Sequence, residues 1–227
     1  MKSMDRRSLL ALLGAAPFAA GLVARAATTT GTSGATTGPA SIVLSPAAQR
    51  SRDKIRERYF PNVLLTTHEG QKVRLYDDLI KDKIVLINFM YAKCEGVCPG
   101  ITTNLVKVQK LLGPRVGRDI FMYSFTLKPE QDTPERMAEY ADMHGVKPGW
   151  LYLTGDVKEM ETLRVKLGFT NPDPLLDKDV TQHIGNVRYG NEPLQQWGAC
   201  PGLAKPSFIA ESIGWVDWPK AEKGVRK

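Results

Sequence analysis

The chain has 227 residues, of which 42% are hydrophobic and 24% charged, and its formal net charge is +7. This length and composition suit one well-buried α/β domain with accessory segments. Lys and Arg are interspersed with Asp and Glu and no nucleic-acid motif accompanies them, so we expect no nucleic-acid partner. Three cysteines are too few for the disulfide framework that stabilises small secreted domains.

The first 26 residues have the composition of an export signal. Basic residues precede an uncharged stretch over residues 8–24, and residues 24–26 fit the A-x-A cleavage pattern. Two glycines and a proline interrupt that stretch, which makes it short and poorly helical for a spanning helix of about 20 residues. We therefore predict a cleaved signal over residues 1–26. The protein is then exported, periplasmic or membrane-associated facing the periplasm, and lies near the membrane without spanning it.

Two export routes are open for this signal. Residues 5–10 resemble a twin-arginine signal, which directs already folded cargo. Asp5 stands where that signal usually has Ser or Thr, and Ala11 where Lys is common, so the ordinary secretory route is not excluded. Cleavage removes four basic residues and one acidic residue, which leaves +4 of the original +7.

A flexible linker is predicted over residues 27–44, because most of it is small, polar and uncharged and has nothing to bury. The folded domain is predicted over residues 45–227. It opens with a helix over residues 45–58, for which Ser45 and Pro46 provide the cap and the first helical residue. An N-terminal hairpin follows, with strands over 63–67 and 72–75.

Strands and helices then alternate, which indicates an α/β protein with a central mixed sheet flanked by helices. The continuous apolar run 84–90 predicts a central strand covered on both faces. The remaining predicted strands are 120–127, 151–154 and 184–189, and the remaining helices are 99–112, 133–144, 156–167, 193–197 and 206–213. The last two helices form a C-terminal helical extension.

Cys94 and Cys98 lie between the central strand and the helix that follows it. Backbone N–H groups at a helix N-terminus favour negative charge, so these thiols, and Cys98 in particular, should ionise more readily than a cysteine with a pKa of about 8.5. A separation of four residues brings the two sulfurs close enough for a shared metal ion or a disulfide. A purely structural role as two small buried residues is disfavoured, because this position activates sulfur.

The sequence around these cysteines resembles the Sco/SenC family. Residues 89–99 (FMYAKCEGVCP) are similar to its C-x-x-x-C-P signature, and residues 128–135 (KPEQDTPE) to its D-P-E-x-D-T-P motif. The order of elements is similar over residues 63–189. The resemblance implies a thioredoxin-like fold, a copper cofactor bound by two cysteines and a histidine on a distant loop, and a role in delivering copper to cytochrome c oxidase.

The resemblance requires a histidine just before a late strand, and His183 is the candidate there. His68 lies in the predicted hairpin turn, and His144 ends a helix, where a cationic ring suits the helix dipole. The alternative for His183 is an exposed loop histidine. Together Cys94, Cys98 and His183 form a soft set of three ligands that suits Cu(I), with Cu(II) left open, whereas structural zinc requires a fourth ligand.

Three further residues carry expectations. Lys128 stands where the family has Asp, so a carboxylate near the metal is missing and the redox behaviour of the site is open. Asp132 is predicted to cap the helix that begins at residues 133–134, in preference to a role near the metal. Cys200 is predicted to be a buried residue beside Trp197, with mixed disulfides as the alternative.

The leading hypothesis is a metallochaperone that turns over no substrate. Its partner is the copper-site subunit of cytochrome c oxidase or another copper protein. The alternative is an exported thiol–disulfide reductase that uses Cys94 and Cys98 as a redox pair and needs no histidine ligand. A peroxiredoxin-like peroxidase is disfavoured, because residues 91–94 do not provide its Thr- and Arg-containing pocket.

Overall fold

The computed structural model describes residues 45–179 and 185–217. The predicted signal, the predicted linker and His183 lie outside these residues. Regular structure within them consists, in chain order, of α1 Pro46–Tyr59, β1 Leu64–Thr67, β2 Lys72–Arg74, β3 Ile84–Met90, α2 Cys98–Leu112, β4 Ile120–Thr126, α3 Pro134–Met143, β5 Trp150–Gly155, α4 Val157–Lys166, α5 Pro174–Lys178, β6 Asn186–Asn191, β7 Gln196–Pro201 and α6 Pro206–Val216. A π-helical turn, Leu75–Ile80, separates β2 from β3.

The strands form one mixed sheet in the order β2-β1-β5-β4-β3-β6-β7. The three central strands β3, β4 and β5 are parallel, and each connection between them contains a helix. At one edge β1 of the β1–β2 hairpin pairs antiparallel with β5. At the other edge β6 pairs antiparallel with β3, and β7 pairs antiparallel with β6. The α/β class and the hairpin before β3 are therefore confirmed.

Strand β3 is buried on both faces, as its continuous apolar sequence predicts. Its even-numbered residues, such as Leu86 and Met90, pack in one core cluster with α2, α3 and α6. Its odd-numbered residues, such as Ile87 and Phe89, pack in a second cluster with α4 and the π-helical turn. Because side chains alternate across a strand, a sheet with helices on both sides requires both sets to be apolar.

The helix α1 begins as predicted, with the Ser45 hydroxyl accepting a hydrogen bond from the Ala48 N–H at 3.3 Å. In the two described ranges no helix is long and apolar enough to cross a membrane.

The helix predicted over residues 193–197 is wrong, because this segment forms the turn between β6 and β7 and the start of β7. The Asn191 side chain accepts a hydrogen bond from the Leu194 N–H, and Gln195 has a positive φ of 55°, which a helix does not allow. Cys200 is buried as predicted, but it does not lie beside Trp197, which belongs to the cluster on the opposite face. Between the end of β7 and residue 217, the last described residue, the chain therefore forms one helix, α6.

A buried charged network attaches α1 to the sheet. Glu192, which is 1% exposed, accepts two hydrogen bonds from the Arg52 guanidinium and one from the Tyr76 hydroxyl at 2.8 Å. Arg52 also pairs with the exposed Asp82 at 2.7 Å. A buried carboxylate without its partner is far less stable than the intact pair.

We expect Arg52→Met to lower the free energy of unfolding by about 3–5 kcal/mol, because it leaves the Glu192 charge buried and unpaired. The double variant Arg52→Met/Glu192→Met should lose less than Arg52→Met alone, since no isolated charge is left behind. Urea unfolding measures both. Tyr76→Phe is the matched control, with an expected loss of about 1.5–3 kcal/mol. A loss below about 1 kcal/mol for Arg52→Met would contradict this assignment.

Candidate metal centre

The two family-like motifs meet at one edge of the sheet. Strands β3 and β4 are parallel, so the loops that follow them leave from the carboxyl ends of the strands, on one side of the sheet. This is where α/β proteins place their functional residues. The cysteine loop follows Met90 and the second motif follows Thr126. The Leu127 N–H donates to the Met90 carbonyl at 2.8 Å, which joins the two loops at their origin.

Both cysteine side chains are buried and reduced, with Cys94 7% exposed and Cys98 1% exposed. Their thiols are hydrogen bonded to each other, so the two sulfurs lie close enough to share one ion. Cys98 is the first residue of α2, and residues 95–97 between the cysteines are exposed. The two cysteines therefore pack against the hydrophobic core on one side, and on the other side only the short exposed loop 95–97 separates them from solvent.

The two thiols differ in acidity, and the prediction that Cys98 is the more acidic is wrong. Burial acts to raise the pKa of Cys94, but hydrogen bonds from Cys98, the Tyr91 hydroxyl and the Gly96 N–H lower it below the usual range. Burial and the hydrogen bond to Cys94 hold the pKa of Cys98 well above its usual range. Desolvation of a sulfur that is 1% exposed outweighs the helix N-terminus.

Lys128 lies against the cysteine loop. Its ammonium nitrogen is 4.0 Å from the centre of the Tyr91 ring, a cation–π contact. Burial and the hydrogen bond to Cys94 raise the pKa of Tyr91 to about 12. The cation therefore touches the ring whose hydroxyl contacts the more acidic thiol. Spacing alone did not reveal Tyr91, and its position three residues before Cys94 is the only sequence signal for it.

The prediction that Asp132 caps α3 is wrong. Thr133 caps this helix by accepting a hydrogen bond from the Arg136 N–H. Instead Asp132 is 2% exposed and binds the cysteine loop. Its carboxylate accepts hydrogen bonds from the Ala92 N–H at 3.2 Å and from the Thr126 hydroxyl at 2.5 Å. One carboxylate therefore fixes the cysteine loop to the end of β4.

The described residues contain no group of three His, Cys, Asp or Glu side chains that could hold a metal ion. The predicted third ligand, His183, falls in the segment 180–184 that the structure does not describe. Both neighbours of this segment lie at the cysteine loop. Asp179 contributes to the raised pKa of Tyr91, and Gly185 packs so closely on α2 that a Cβ there would lie 3.0 Å from Ile101.

The fold and the cysteine pair define a thioredoxin-like protein, with two thiols at the junction of a central strand and the following helix. The chain belongs to the SCO1/SenC family, whose model matches residues 50–188.

Two curated relatives match part of the chain. The SCO1 protein homolog of Bacillus subtilis is 29% identical over 100 residues, which are 43% of this chain and 50% of that protein. Protein sco1 of Schizosaccharomyces pombe is 26% identical over 161 residues, or 63% of this chain and 60% of that protein. The chain thus spans about half of one relative and three fifths of the other.

Solved structures establish the fold. A SCO1/SenC family lipoprotein from Bacillus anthracis is 20% identical with a TM-score of 0.58, and the match covers 69% of this chain and 93% of that one. Copper-bound ScoI of Bradyrhizobium japonicum is 23% identical with a TM-score of 0.54, covering 67% and 96%. BsSco, described as a member of the Sco family of cytochrome c oxidase assembly proteins with a disulfide switch, is 21% identical with a TM-score of 0.58, covering 72% and 95%.

We expect Asp132→Ala to loosen the cysteine loop, because it leaves the partly buried Ala92 N–H without its acceptor. The free energy of unfolding should fall by about 1–3 kcal/mol, measured by urea unfolding. The rate at which iodoacetamide modifies Cys94 should rise at the same time. Glu130→Gln, an exposed change in the same loop, is the control and should alter neither quantity. Unchanged stability together with an unchanged rate would show that Asp132 does not hold the loop.

The thiols should react in a fixed order. In the reduced, metal-free chain at neutral pH we expect iodoacetamide to modify Cys94 at least about tenfold faster than Cys98, because Cys94 is more exposed and its pKa is lowered. Mass spectrometry of the modified peptides measures the order. Cys200 is an internal control that should also react more slowly than Cys94, since burial raises its pKa to about 11. Equal rates for the three thiols would contradict the described burial.

Proposed function

We propose that this protein is an exported copper-binding metallochaperone of the SCO1/SenC family, with copper held by Cys94, Cys98 and His183. The observation that carries the proposal is the pair of buried, mutually hydrogen-bonded sulfurs at the N-terminus of α2. Two soft sulfur donors and one imidazole suit Cu(I), which accepts low coordination numbers. Copper-bound ScoI, which shares the fold, gives independent support for copper as the cargo.

The pairing of β3 with β6 supports His183 as the third ligand. These strands are antiparallel, and Asn88 near the end of β3 lies opposite Val187 near the start of β6. The chain that enters β6 therefore comes from the edge where the cysteine loop begins. His183 precedes Gly185 by two residues, which is at most about 7 Å of chain. Gly185 itself packs against Ile101 and Val97 beside the cysteine loop, which supports the proposal that His183 completes the ligand set.

The residues around the sulfurs have defined tasks in this proposal. Backbone N–H groups at the start of α2 stabilise the negative charge that two thiolates carry in excess of one Cu(I). Asp132 fixes the loop through the Ala92 N–H, and the Tyr91 hydroxyl holds the sulfur of Cys94. The exposed residues 95–97 leave one side open, so a thiolate of a partner protein can enter as the copper is exchanged.

The partner and location follow from family membership and the sequence. We propose that the recipient is the copper-site subunit of cytochrome c oxidase or another copper protein. BsSco belongs to a family of oxidase assembly proteins, which supports this choice. The signal-like residues 1–26 support export, and the related lipoprotein of Bacillus anthracis supports a position at the membrane surface.

A thiol–disulfide reductase is the second candidate, and the unequal acidity of the two thiols favours it. A thiol with a lowered pKa, such as Cys94, attacks a partner's disulfide, and Cys98 then resolves the mixed disulfide. In balanced form the two thiols of this protein become a disulfide while the partner's disulfide becomes two thiols. This reaction needs no imidazole.

We expect His183→Ala to weaken Cu(I) binding by more than about a hundredfold, since even residues outside the ligand set change metal affinity by 10- to 100-fold. Competition with a Cu(I) chelator measures the affinity. The Cys94–Cys98 disulfide should still form, as thiol titration after oxidation would show. The matched control is His68→Asn, because His68 binds the Tyr152 N–H through Nδ1 and Asn keeps an acceptor there.

The outcomes separate the two candidates. Unchanged Cu(I) affinity in His183→Ala would rule out His183 as the third copper ligand. Rapid reduction of a model disulfide by wild type and by His183→Ala alike, with weak copper binding in both, would establish the reductase instead.

A further inference from the structure

A cavity of about 390 Å³ lies on the face of the sheet opposite to α2 and the cysteines. Its floor is a row of three residues paired directly across β3, β6 and β7, namely Ile87, Arg188 and Ala199. Apolar side chains from the end of α1 and the end of α4 form most of its wall: Ile55, Tyr59, Phe60 and Leu167. Pockets that bind small ligands have volumes of about 300–1,000 Å³.

Arg188 in the floor is a partly buried cation that lacks a carboxylate partner within the described residues. Its Nη2 donates to the Gly168 carbonyl at 2.6 Å, and its guanidinium carbon lies 5.4 Å from the Phe169 ring centre. Burial lowers the pKa of Arg188. By contrast, three other buried or partly buried arginines each pair with a carboxylate at close range: Arg52, Arg115 and Arg164.

The close approach of Arg188 to the end of α4 depends on Gly168, whose φ is +72°. A Cβ at this position would lie 2.6 Å from Nη2 of Arg188. Gly168 thus allows the guanidinium to lie in the cavity floor while it remains held by a neutral carbonyl. A carbonyl does not neutralise the charge, so the cavity keeps a positive group on an apolar surface.

Two further donors line the same cavity. Lys166 contacts only the Glu57 carbonyl, at 3.5 Å, among the residues that the structure describes. The indole nitrogen of Trp197 is buried and has no hydrogen-bond partner there. An indole N–H only donates, and buried polar groups without partners are costly. No Asp or Glu is among the lining residues, so no carboxylate of the lining neutralises the charges of Arg188 and Lys166.

We propose that this cavity binds an amphipathic anion, a molecule with an apolar chain and one carboxylate or phosphate head. The head binds Arg188 and Lys166, and the chain lies on Ile87, Phe60 and Leu167. Opposite charge compensates the partly buried arginine, and the apolar wall buries the chain. The two sources of such a ligand are a free fatty acid and a phosphate-bearing lipid fragment.

Isothermal titration calorimetry of the full chain tests the ligand class, with decanoate, decyl phosphate and decanol as probes below their micelle concentrations. We expect one anion to bind per chain, at least tenfold more tightly than decanol, which has the same chain length and no charge. Tighter binding of decanoate indicates a free fatty acid, and tighter binding of decyl phosphate indicates a lipid fragment. Equal binding of decanol, or no binding of either anion, overturns the proposal.

Variants test the location. Arg188→Met should weaken binding of the anion at least tenfold and leave decanol binding unchanged, whereas Ala199→Leu should weaken all three probes because it fills the cavity. Lys205→Met, an exposed cation outside the cavity, is the matched control and should change nothing. If Arg188→Met does not fold, as judged by thermal unfolding, Lys166→Met is the second variant, with an expected three- to tenfold loss. Unchanged binding in the folded variants overturns the assignment.

Discussion

The hydrogen bond between the Asp132 carboxylate and the Ala92 N–H is the contact on which the cysteine site depends. It connects two loops that are 40 residues apart in the chain and that leave the same edge of the sheet. The carboxylate is 2% exposed and also binds the Thr126 hydroxyl, so its position is fixed from the side of β4. The second family motif therefore supports the loop of the first.

Burial, more than the helix N-terminus, determines how the two thiols differ. Cys98 occupies the favourable end of α2, yet its sulfur is enclosed in the core and its charge would be desolvated. Cys94 is nearly as buried but receives hydrogen bonds that stabilise a thiolate. The contact of Lys128 with the Tyr91 ring places a cation beside the loop that carries the two sulfurs.

The sequence predicted the central elements because their signals are local. The apolar run 84–90 and the Pro and Gly residues at helix ends gave β3 and α2 within one residue of their observed bounds. The prediction for residues 193–197 was wrong because Pro193 suits a helix start as well as a turn, whereas the pairing of this segment with β6 has no counterpart in the apolar spacing of the segment itself. The prediction that Asp132 caps α3 was wrong for a similar reason. An Asp next to Thr-Pro suits a cap, whereas its partner Ala92 is distant in sequence.

The pairing of β3 with β6 positions residues at both the cysteine site and the cavity. This pairing sets the start of β6 beside the end of β3, where the cysteine loop begins. The same register sets Arg188 opposite Ile87, in the floor of the cavity. A strand has one register, and a shift by one residue would exchange its two sets of side chains. The point at which the described chain enters β6 and the face of the sheet on which Arg188 lies are therefore fixed by the same hydrogen-bond ladder.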